Sequence, residues 1–476
     1  MLNIRQIVGA VLLFVTGLVK LIGGCKDFYE LEKGIHELCQ KVSNQIITWA
    51  LEQLDTRLMN ERDRSTWKVV GFRDKTAIST FGEFLYKRRL YKNKKTGETC
   101  FFLDELLGWP ARARITPRLK ELAVKLSTEL PFDRAAEILS YLVPGVSPMT
   151  IWQATREVGE VLQQEGKEKR AAVFEDGEAP GGKEVAPELY IEADGVMIRL
   201  QRAEQKRGEI KHMVAYEGKK QVGRDRFVLK NKHVLSSLTE GEAIWGEGYA
   251  EIGGKWDLSR TPKIYIGGDG AEWLKQGMKY FPGAEYRLDP YHLSKHLTEA
   301  LWYDEETFRK VATAISRGNW QETQGILMGA AKKTRGNRKK RITRLLHYLE
   351  ENWVGIVTSP GAKRLGTIEG QIQHNVARRM KRLGARWTIN GGDRMARILA
   401  ARANGKLGDY TLRWPVKHEK LKELARLKPV EKQKAEDIEK WLQVSLPALK
   451  GPFADRTWIK YVLRELARPD FAALIG

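Results

Sequence analysis

Three carboxylates stand on segments whose pattern could bring them to one point. Asp194 sits inside "ELYIEADGVMIRL", residues 188–200, a run that reads as a buried strand. A carboxylate at the edge of an apolar core is costly unless something pairs with it. Asp269 follows the apolar run "KIYIGG" in "YIGGDGAEW", and Glu369 opens the basic segment "LGTIEGQIQHNVARRMKR". Three such acids at one place repel each other unless cations sit among them. Hard oxygen ligands select Mg²⁺, with Mn²⁺ as the alternative. Two such ions about 3.5–4 Å apart would activate a water or a 3′-hydroxyl and stabilise the leaving oxygen of a phosphodiester. Taken singly, each acid has a plainer role. Asp269 can cap a helix, Glu369 can complement a helix dipole and Asp194 can turn a strand end. "RLDPYHLSKHL" adds Asp289 and His292. Asp-Pro is an ordinary helix start, yet His292, one turn in, could reach the same site as a phosphate contact or proton carrier. His212 and His374 have no comparable context and read as surface or core histidines.

The elements that must position these residues form an α/β pattern. Strands are expected at about 188–200, 209–217 and 225–236. A helix follows, then a strand at 263–268, a helix near 271–279, a strand at 284–288 and a helix from Pro290. Consecutive strands followed by alternating helix and strand predict a mixed sheet. In the order 3-2-1-4-5, the first and fourth strands are parallel neighbours. Asp194 and Asp269 then lie side by side at the strands' carboxyl ends, where α/β sites form. Residues 302–362 read as a basic helical insertion that delays the helix bearing Glu369. Its run "KKTRGNRKKRITR", 332–344, holds eight basic residues and no acid.

Upstream, residues 26–62 carry helical periodicity. "TAISTFGEFLYKRRLYKNKKTGETCFF" predicts a hairpin with strands near 76–91 and 98–103 around a Lys/Asn/Gly turn. Its "YKRRLYKNKK" would suit phosphate contact, or would simply protect an edge strand. "PFDRAAEILSYLVPGVSPMTIWQATREVGEVL" has the rhythm of a helix-turn-helix or of an ordinary helical hairpin. A helix over 133–142 breaks at Pro144-Gly145, and Ser147 caps the next with Pro148 at its first position. That second helix presents Thr150, Gln153 and Arg156, types able to contact a major groove. Residues 174–187, rich in Gly, Pro and acid, read as a linker. The expected organisation is a helical region 1–65, a hairpin and helix-turn-helix region 66–173, the linker, an α/β domain 188–405 and a helical region 406–476.

The chain has 476 residues, a formal net charge of +22 and a pI near 9.7. That clustered excess points to a polyanionic partner such as nucleic acid. Its three cysteines fit neither a disulfide framework nor a zinc site, so a reducing interior is expected. "IVGAVLLFVTGLV", residues 7–19, is short for a membrane span and is followed by no usual cleavage site. It reads as a buried or self-associating helix, and a membrane location is not expected.

The segments "IEADGVMIRLQ", "KHMVAYEG", "GGDGAEWLKQGMKYFPGAEYRLDPYHLSKHL" and "LGTIEGQIQHNVARRMKRLGARW" together resemble the ISLre-type insertion-sequence transposases, bacterial proteins distantly related to the Mutator-like group. The resemblance covers roughly residues 25–405. It implies a DNA transposase with a ribonuclease H-like catalytic domain and a DDE triad falling on Asp194, Asp269 and Glu369. It also implies an Asp-x-x-His signature at Asp289 and His292, and a long helical insertion before the glutamate. Two Mg²⁺ ions, duplex DNA ends and target DNA are the implied cofactors and partners, with no small-molecule substrate. The helix-turn-helix would read terminal inverted repeats. Lys332, Lys333, Arg335, Arg338, Lys339, Lys340 and Arg341 would bind backbone phosphates, with Arg378, Arg379, Lys381 and Arg382. Trp387 beside that second cluster would stack on an unpaired base or lie in the core. A dimer or larger synaptic assembly, cytoplasmic and on the nucleoid, completes the expectation. The alternatives are a ribonuclease H-like nuclease that cuts without joining, and a domesticated non-catalytic DNA-binding protein.

Overall fold

The computed structural model describes residues 4–411 except 112, 225, 358–364 and 383. Most of the expected C-terminal helical region lies outside the described residues. At the amino end, α1 (Ile4–Gly24) and α2 (Phe28–Glu61) form an antiparallel pair. They approach closely where Gly17 meets Leu38 and Gly34 meets Leu21. Asp27 caps α2, its carboxylate accepting the Glu30 amide at 2.8 Å. The apolar stretch is only partly buried. Val8, Val11, Leu12, Val15, Val19 and Ile22 face outward. No helix among the described residues is long and apolar enough to cross a membrane.

The expected hairpin forms, and a second reversal precedes it. β1 (Trp67–Ser79) and β2 (Gly82–Asn93) join through Thr80-Phe81, with Gly82 at φ 105°, so the single strand expected near 76–91 is divided. The Lys/Asn/Gly segment makes the expected turn into the short β3 (Thr99–Cys100), which pairs antiparallel with the end of β2. α3 (Phe102–Leu107) closes this unit over Tyr86 and Tyr91. Next come α4 (Pro117–Ser127), α5 (Phe132–Ser140) and α6 (Pro148–Phe174). Ser147 caps α6 as its sequence predicts, accepting the Thr150 amide at 3.2 Å, with Pro148 in the first turn. Ile151, Ala154 and Val158 pack against Leu119 and Leu139 of the two preceding helices. Further along, α6 runs on against the α/β unit, where Gln163 Nε2 donates to Asp393 at 2.6 Å.

That unit is a mixed five-stranded sheet. β4 (Leu189–Arg199) and β5 (Arg207–Tyr216) are followed by a small side hairpin, β6 (Gly218–Gly223) and β7 (Arg226–Lys230). β8 (His233–Ser237) then returns to the main sheet. The expected single strand over 225–236 is therefore two, broken at Asn231, whose φ is 49°. α7 (Gly241–Gly253) leads to β9 (Ile264–Gly268), then α8 (Glu272–Lys275), α9 (Gly277–Tyr280) and β10 (Glu285–Leu288). The order is β10-β9-β4-β5-β8, with β4, β9 and β10 parallel and β5 antiparallel to both neighbours. The first and fourth strands of the sheet are thus adjacent, as the sequence pattern requires.

α10 (Pro290–Leu301) opens the insertion, which continues as α11 (Glu305–Ser316), α12 (Trp320–Lys333) and α13 (Gly336–Ile356) around their own apolar core. The chain returns through α14 (Ile368–Ile372), a π-helical turn (Gln373–Ala377), α15 (Arg378–Met380), α16 (Ile389–Ala403) and α17 (Leu407–Thr411). Strand alternation divides the core. Tyr190, Val196 and Ile198 face the α14–α16 layer, while Ile191 and Ala193 face α7 to α9. The stretch 174–187 is tied down where Gly182 N donates to Gly253 O at 2.8 Å and Glu184 N to Lys255 O at 3.1 Å.

Candidate active site

Strand register brings the acids together. In the parallel pairing of β4 and β9, Glu192 stands opposite Gly267. Two residues further, Asp194 is level with Asp269. In the next parallel pair Leu288 stands opposite Gly268, so Asp289 is level with Asp269 as well. Asp289 N donates to Gly268 O at 2.8 Å, which fixes that last step. Three aspartates therefore stand abreast, Asp269 and Asp289 just past the carboxyl ends of β9 and β10, and Asp194 midway along β4, two residues beyond its last pairing with β9.

Each is anchored locally. Asp194 Oδ1 accepts the Gly195 amide at 2.6 Å, and Asp269 Oδ1 accepts the Ala271 amide at 2.9 Å. Asp289 caps α10, its Oδ1 accepting the Tyr291 amide at 3.0 Å, while its Oδ2 lies 3.9 Å from His292 Nε2. Capping and site membership are thus compatible for Asp269 and Asp289. Burial pushes the Asp194 carboxyl up to about 6, and the charges of Asp269 and Glu369 add to the rise against the opposing Gly195 amide and His292. Burial likewise raises Asp289, with smaller contributions from Glu192 and Asp269. The insertion supports this edge. Tyr348 of α13 donates its hydroxyl to the Asp269 carbonyl at 2.9 Å, and Asn352 packs against Gly270 at φ 99°.

Glu369 lies in the first turn of α14 with an exposed side chain, close enough for its charge to act on Asp194. The carboxylates do not close into a ready-made cage. Among the described residues, no group of three His, Cys, Asp or Glu is arranged to hold a metal ion.

Sequence reasoning missed Glu192. It is 1% exposed, yet its carboxylate accepts five hydrogen bonds. Oε2 takes the backbone amides of Gly366 at 2.8 Å, Thr367 at 2.8 Å and Ile368 at 3.3 Å. Oε1 takes the Thr367 hydroxyl at 2.6 Å and the Tyr216 hydroxyl. The available signal was its spacing: Glu192 and Asp194, two apart on one strand, share a face. His212 is also better placed than its sequence suggests. It pairs across the sheet with Asp194, is fully buried, and contacts Ser236 Oγ at 2.6 Å and Asn375 Nδ2 at 3.5 Å. Burial lowers its imidazole to about 3, so it is a neutral core group. His374 is exposed.

The expected DNA contacts divide by exposure. Lys332, Lys333, Arg335, Arg338, Lys339, Lys340 and Arg341 all lie in water at the end of α12 and the start of α13. Arg378, Lys381 and Arg382 are exposed too. Arg379 is a correction, and Trp387 takes the core place that was one of its two expected readings. Arg379 is buried, donates from Nε to the Ser127 carbonyl at 2.7 Å, and lies 4.9 Å from the Trp387 ring. Trp387 is buried too, and donates its indole N–H to Met380 O at 3.1 Å. Neither can reach a phosphate or a base. On α6, Gln153 and Arg156 are exposed and Thr150 is half-buried. Arg156 lies over the Trp152 ring and pairs with Glu160 at 2.9 Å.

Fold and site together define a mixed α/β protein with a carboxylate-bearing sheet edge and basic helices around it. Residues 24–417 match the model of an uncharacterised protein family, UPF0236. A UPF0236 protein of Caldanaerobacter subterraneus subsp. tengcongensis is 30% identical over 384 residues, covering 79% of each chain. Another from that organism, 29% identical over 384 residues and 79% of this chain, bears a name that joins eleven loci. A UPF0236 protein in the vanSb 3′ region of Streptococcus gallolyticus is 27% identical over 410 residues, covering 83% of this chain and 87% of its own. The chain belongs to the UPF0236 family.

Proposed function

We propose that this protein is the DNA transposase of an insertion sequence, of the ISLre type, with a ribonuclease H-like catalytic domain. The observation that carries the reading is the row of Asp194, Asp269 and Asp289 across adjacent parallel strands, where β9 and β10 end beside the middle of β4, with the Glu369 helix pinned to β4. The sheet order, with a helical insertion before the glutamate, supports the same reading. So does a relative whose name joins eleven loci of one genome, the distribution a mobile element produces.

The donors suit hard divalent cations. Asp194 and Asp269 each engage a backbone amide through Oδ1, leaving Oδ2 as the oxygen a cation would take. Burial first, and then the charges of Asp269 and Glu369, disfavour ionised Asp194, a cost that bound cations would offset. Asp194, Asp269 and Glu369 would hold Mg²⁺ or Mn²⁺. Two such ions, when bound, supply the charge that activates the attacking hydroxyl and stabilises the leaving oxygen. The chain does the positioning. The Asp289–His292 pair would hold a non-bridging phosphate oxygen or carry the proton released by the nucleophile. Gln153 and Arg156 would read base edges in the element ends, and the exposed bases of α12, α13 and 378–382 would follow the backbone. Cutting two ends together calls for a dimer or larger assembly.

The test is a strand-transfer assay with labelled duplex from the DNA flanking the gene, Mg²⁺, and the Asp194→Asn variant in parallel. Joined products from the wild type alone are expected. Cleavage without joining would convert the reading to a nuclease. Bound but uncut duplex with both proteins would reduce it to a DNA-binding module.

A further inference from the structure

Glu192 takes no part in the chemistry proposed above, yet it is the most heavily engaged carboxylate beside it. Its two oxygens accept three successive backbone amides and two hydroxyls. Those amides are the donors that precede and open α14, which the helix itself leaves without acceptors. A carboxylate at that point also complements the helix dipole. α14 opens one continuous helical run through the π-helical turn and α15, Ile368–Met380, which is still short for a helix to be stable on its own. Something must fix its start, and the fixing group comes from β4, two residues before Asp194.

The geometry leaves little slack. Gly366 adopts φ 105°, and a Cβ there would stand 3.3 Å from Asp289 Oδ1. Leu365 packs on Gly267, beside Glu192 in the sheet. The entry to α14 is thus held against the strand ends at the level where the aspartates stand. Glu369 follows the last clamped amide by one residue. We propose that Glu192 is a positioning residue: its buried carboxylate clamps the start of α14 and thereby sets Glu369 against Asp194 and Asp269. This rests on the reading of those three acids as ligands of divalent cations. Glutamine keeps one oxygen for the three amides, but it removes the negative charge that holds them and turns a donor toward the Thr367 and Tyr216 hydroxyls, which weakens the clamp. Aspartate is one methylene shorter and cannot span the same groups.

The experiment compares the full-length wild type with Glu192→Gln, using Mn²⁺ as the probe and electron paramagnetic resonance to count free ion. Hydrogen exchange at residues 366–372 and duplex affinity in EDTA are followed alongside. In Glu192→Gln, exchange at 366–368 should quicken and Mn²⁺ affinity should fall about 10–100-fold, the usual effect of removing a group that orients a metal ligand. Duplex affinity in EDTA should not move. If Glu192→Gln does not fold, Thr367→Val and Tyr216→Phe each remove one donor to Oε1 and should weaken Mn²⁺ binding by a smaller factor. Faster exchange with Mn²⁺ affinity within twofold of wild type overturns the positioning role and leaves the metal reading standing. Wild-type Mn²⁺ binding that is absent, or indifferent to Asp194→Asn and Glu369→Gln, overturns the metal reading and the positioning role with it.

Discussion

Across β4, β9 and β10 the molecule sets a row of buried and half-buried aspartates and holds each with a backbone amide, whereas along α13 and near α15 it leaves bases in water. Asp194 and Asp289 are 9% and 2% exposed, while the seven basic residues of 332–341 are all exposed. The aspartate row is a small negative site in a chain whose full sequence carries a net charge of +22. Buried charge is costly and therefore specific. Exposed charge is cheap, additive and screened by salt. Substitutions in the two regions should differ in kind as well as in size.

The largest expected effect is catalytic. Asp269→Asn keeps the shape of the loop after β9 but removes the charge, and should lower cleavage by about 10³-fold or more. Binding of end duplex in EDTA should stay within a factor of two. Comparable loss of binding would mean that Asp269 organises the DNA surface, and the contrast between the regions would fail. His292→Ala should cost less than loss of any acid, since it neighbours the acids without being their equal in charge. Wild-type rates in that variant would return Asp289 to a helix cap alone.

Stability should move in the opposite direction to activity at Asp194. Its carboxyl is pushed up to about 6 from 3.8, first by burial. A raised folded-state value means that the neutral form is favoured by the fold. That contribution is fully present below the unfolded value and is lost as pH rises through about 6. Ionisation therefore costs the metal-free fold about 3 kcal/mol at pH 7.5 and about 1 kcal/mol at pH 4.5. Asp194→Asn should recover those amounts in urea unfolding with EDTA, while abolishing cleavage. A destabilised Asp194→Asn at pH 7.5 would mean that a cationic partner already compensates the charge.

Recognition by α6 should show an intermediate effect. Gln153→Ala and Arg156→Ala should each weaken binding to the element's own ends by about 1–3 kcal/mol, with little change on scrambled duplex. Equal loss on both sequences would assign these side chains to the backbone instead.

The same contrast explains what was legible in the sequence. Most strands of the main sheet, and with them the juxtaposition of Asp194 and Asp269, were legible from apolar runs and their alternation, because burial dictates residue type. The capped start of α6 was legible because Ser-Pro is a local signal. Turn chemistry was legible at "KNKKTG", where β2 reverses into β3, but the reversal at Thr80-Phe81 was missed because only Gly82 marks it. Glu192 had only its spacing from Asp194 to mark it, because the amides it holds lie about 175 positions away in sequence. Arg379 misled because its neighbours Arg378, Lys381 and Arg382 have the same composition. Only its angle on the helix turns it inward.

That last pair gives the finest test. Arg378 and Arg379 are adjacent and chemically identical, and differ only in burial. Replacing Arg378, Lys381 and Arg382 by alanine should leave stability nearly unchanged and flatten the salt dependence of DNA affinity. Every phosphate left without its basic partner lowers the slope of log affinity against log salt by about 0.9, so the triple change should remove up to about 2.7. Arg379→Ala should leave the slope alone. It removes a charged donor from the Ser127 carbonyl, and burial already lowers its guanidinium to about 10. The expected cost is about 1.5–3 kcal/mol of folding stability. A slope that changes with Arg379 and not with its neighbours would mean that the basic cluster opens on binding, and that exposure in the free protein is a poor guide to its DNA face.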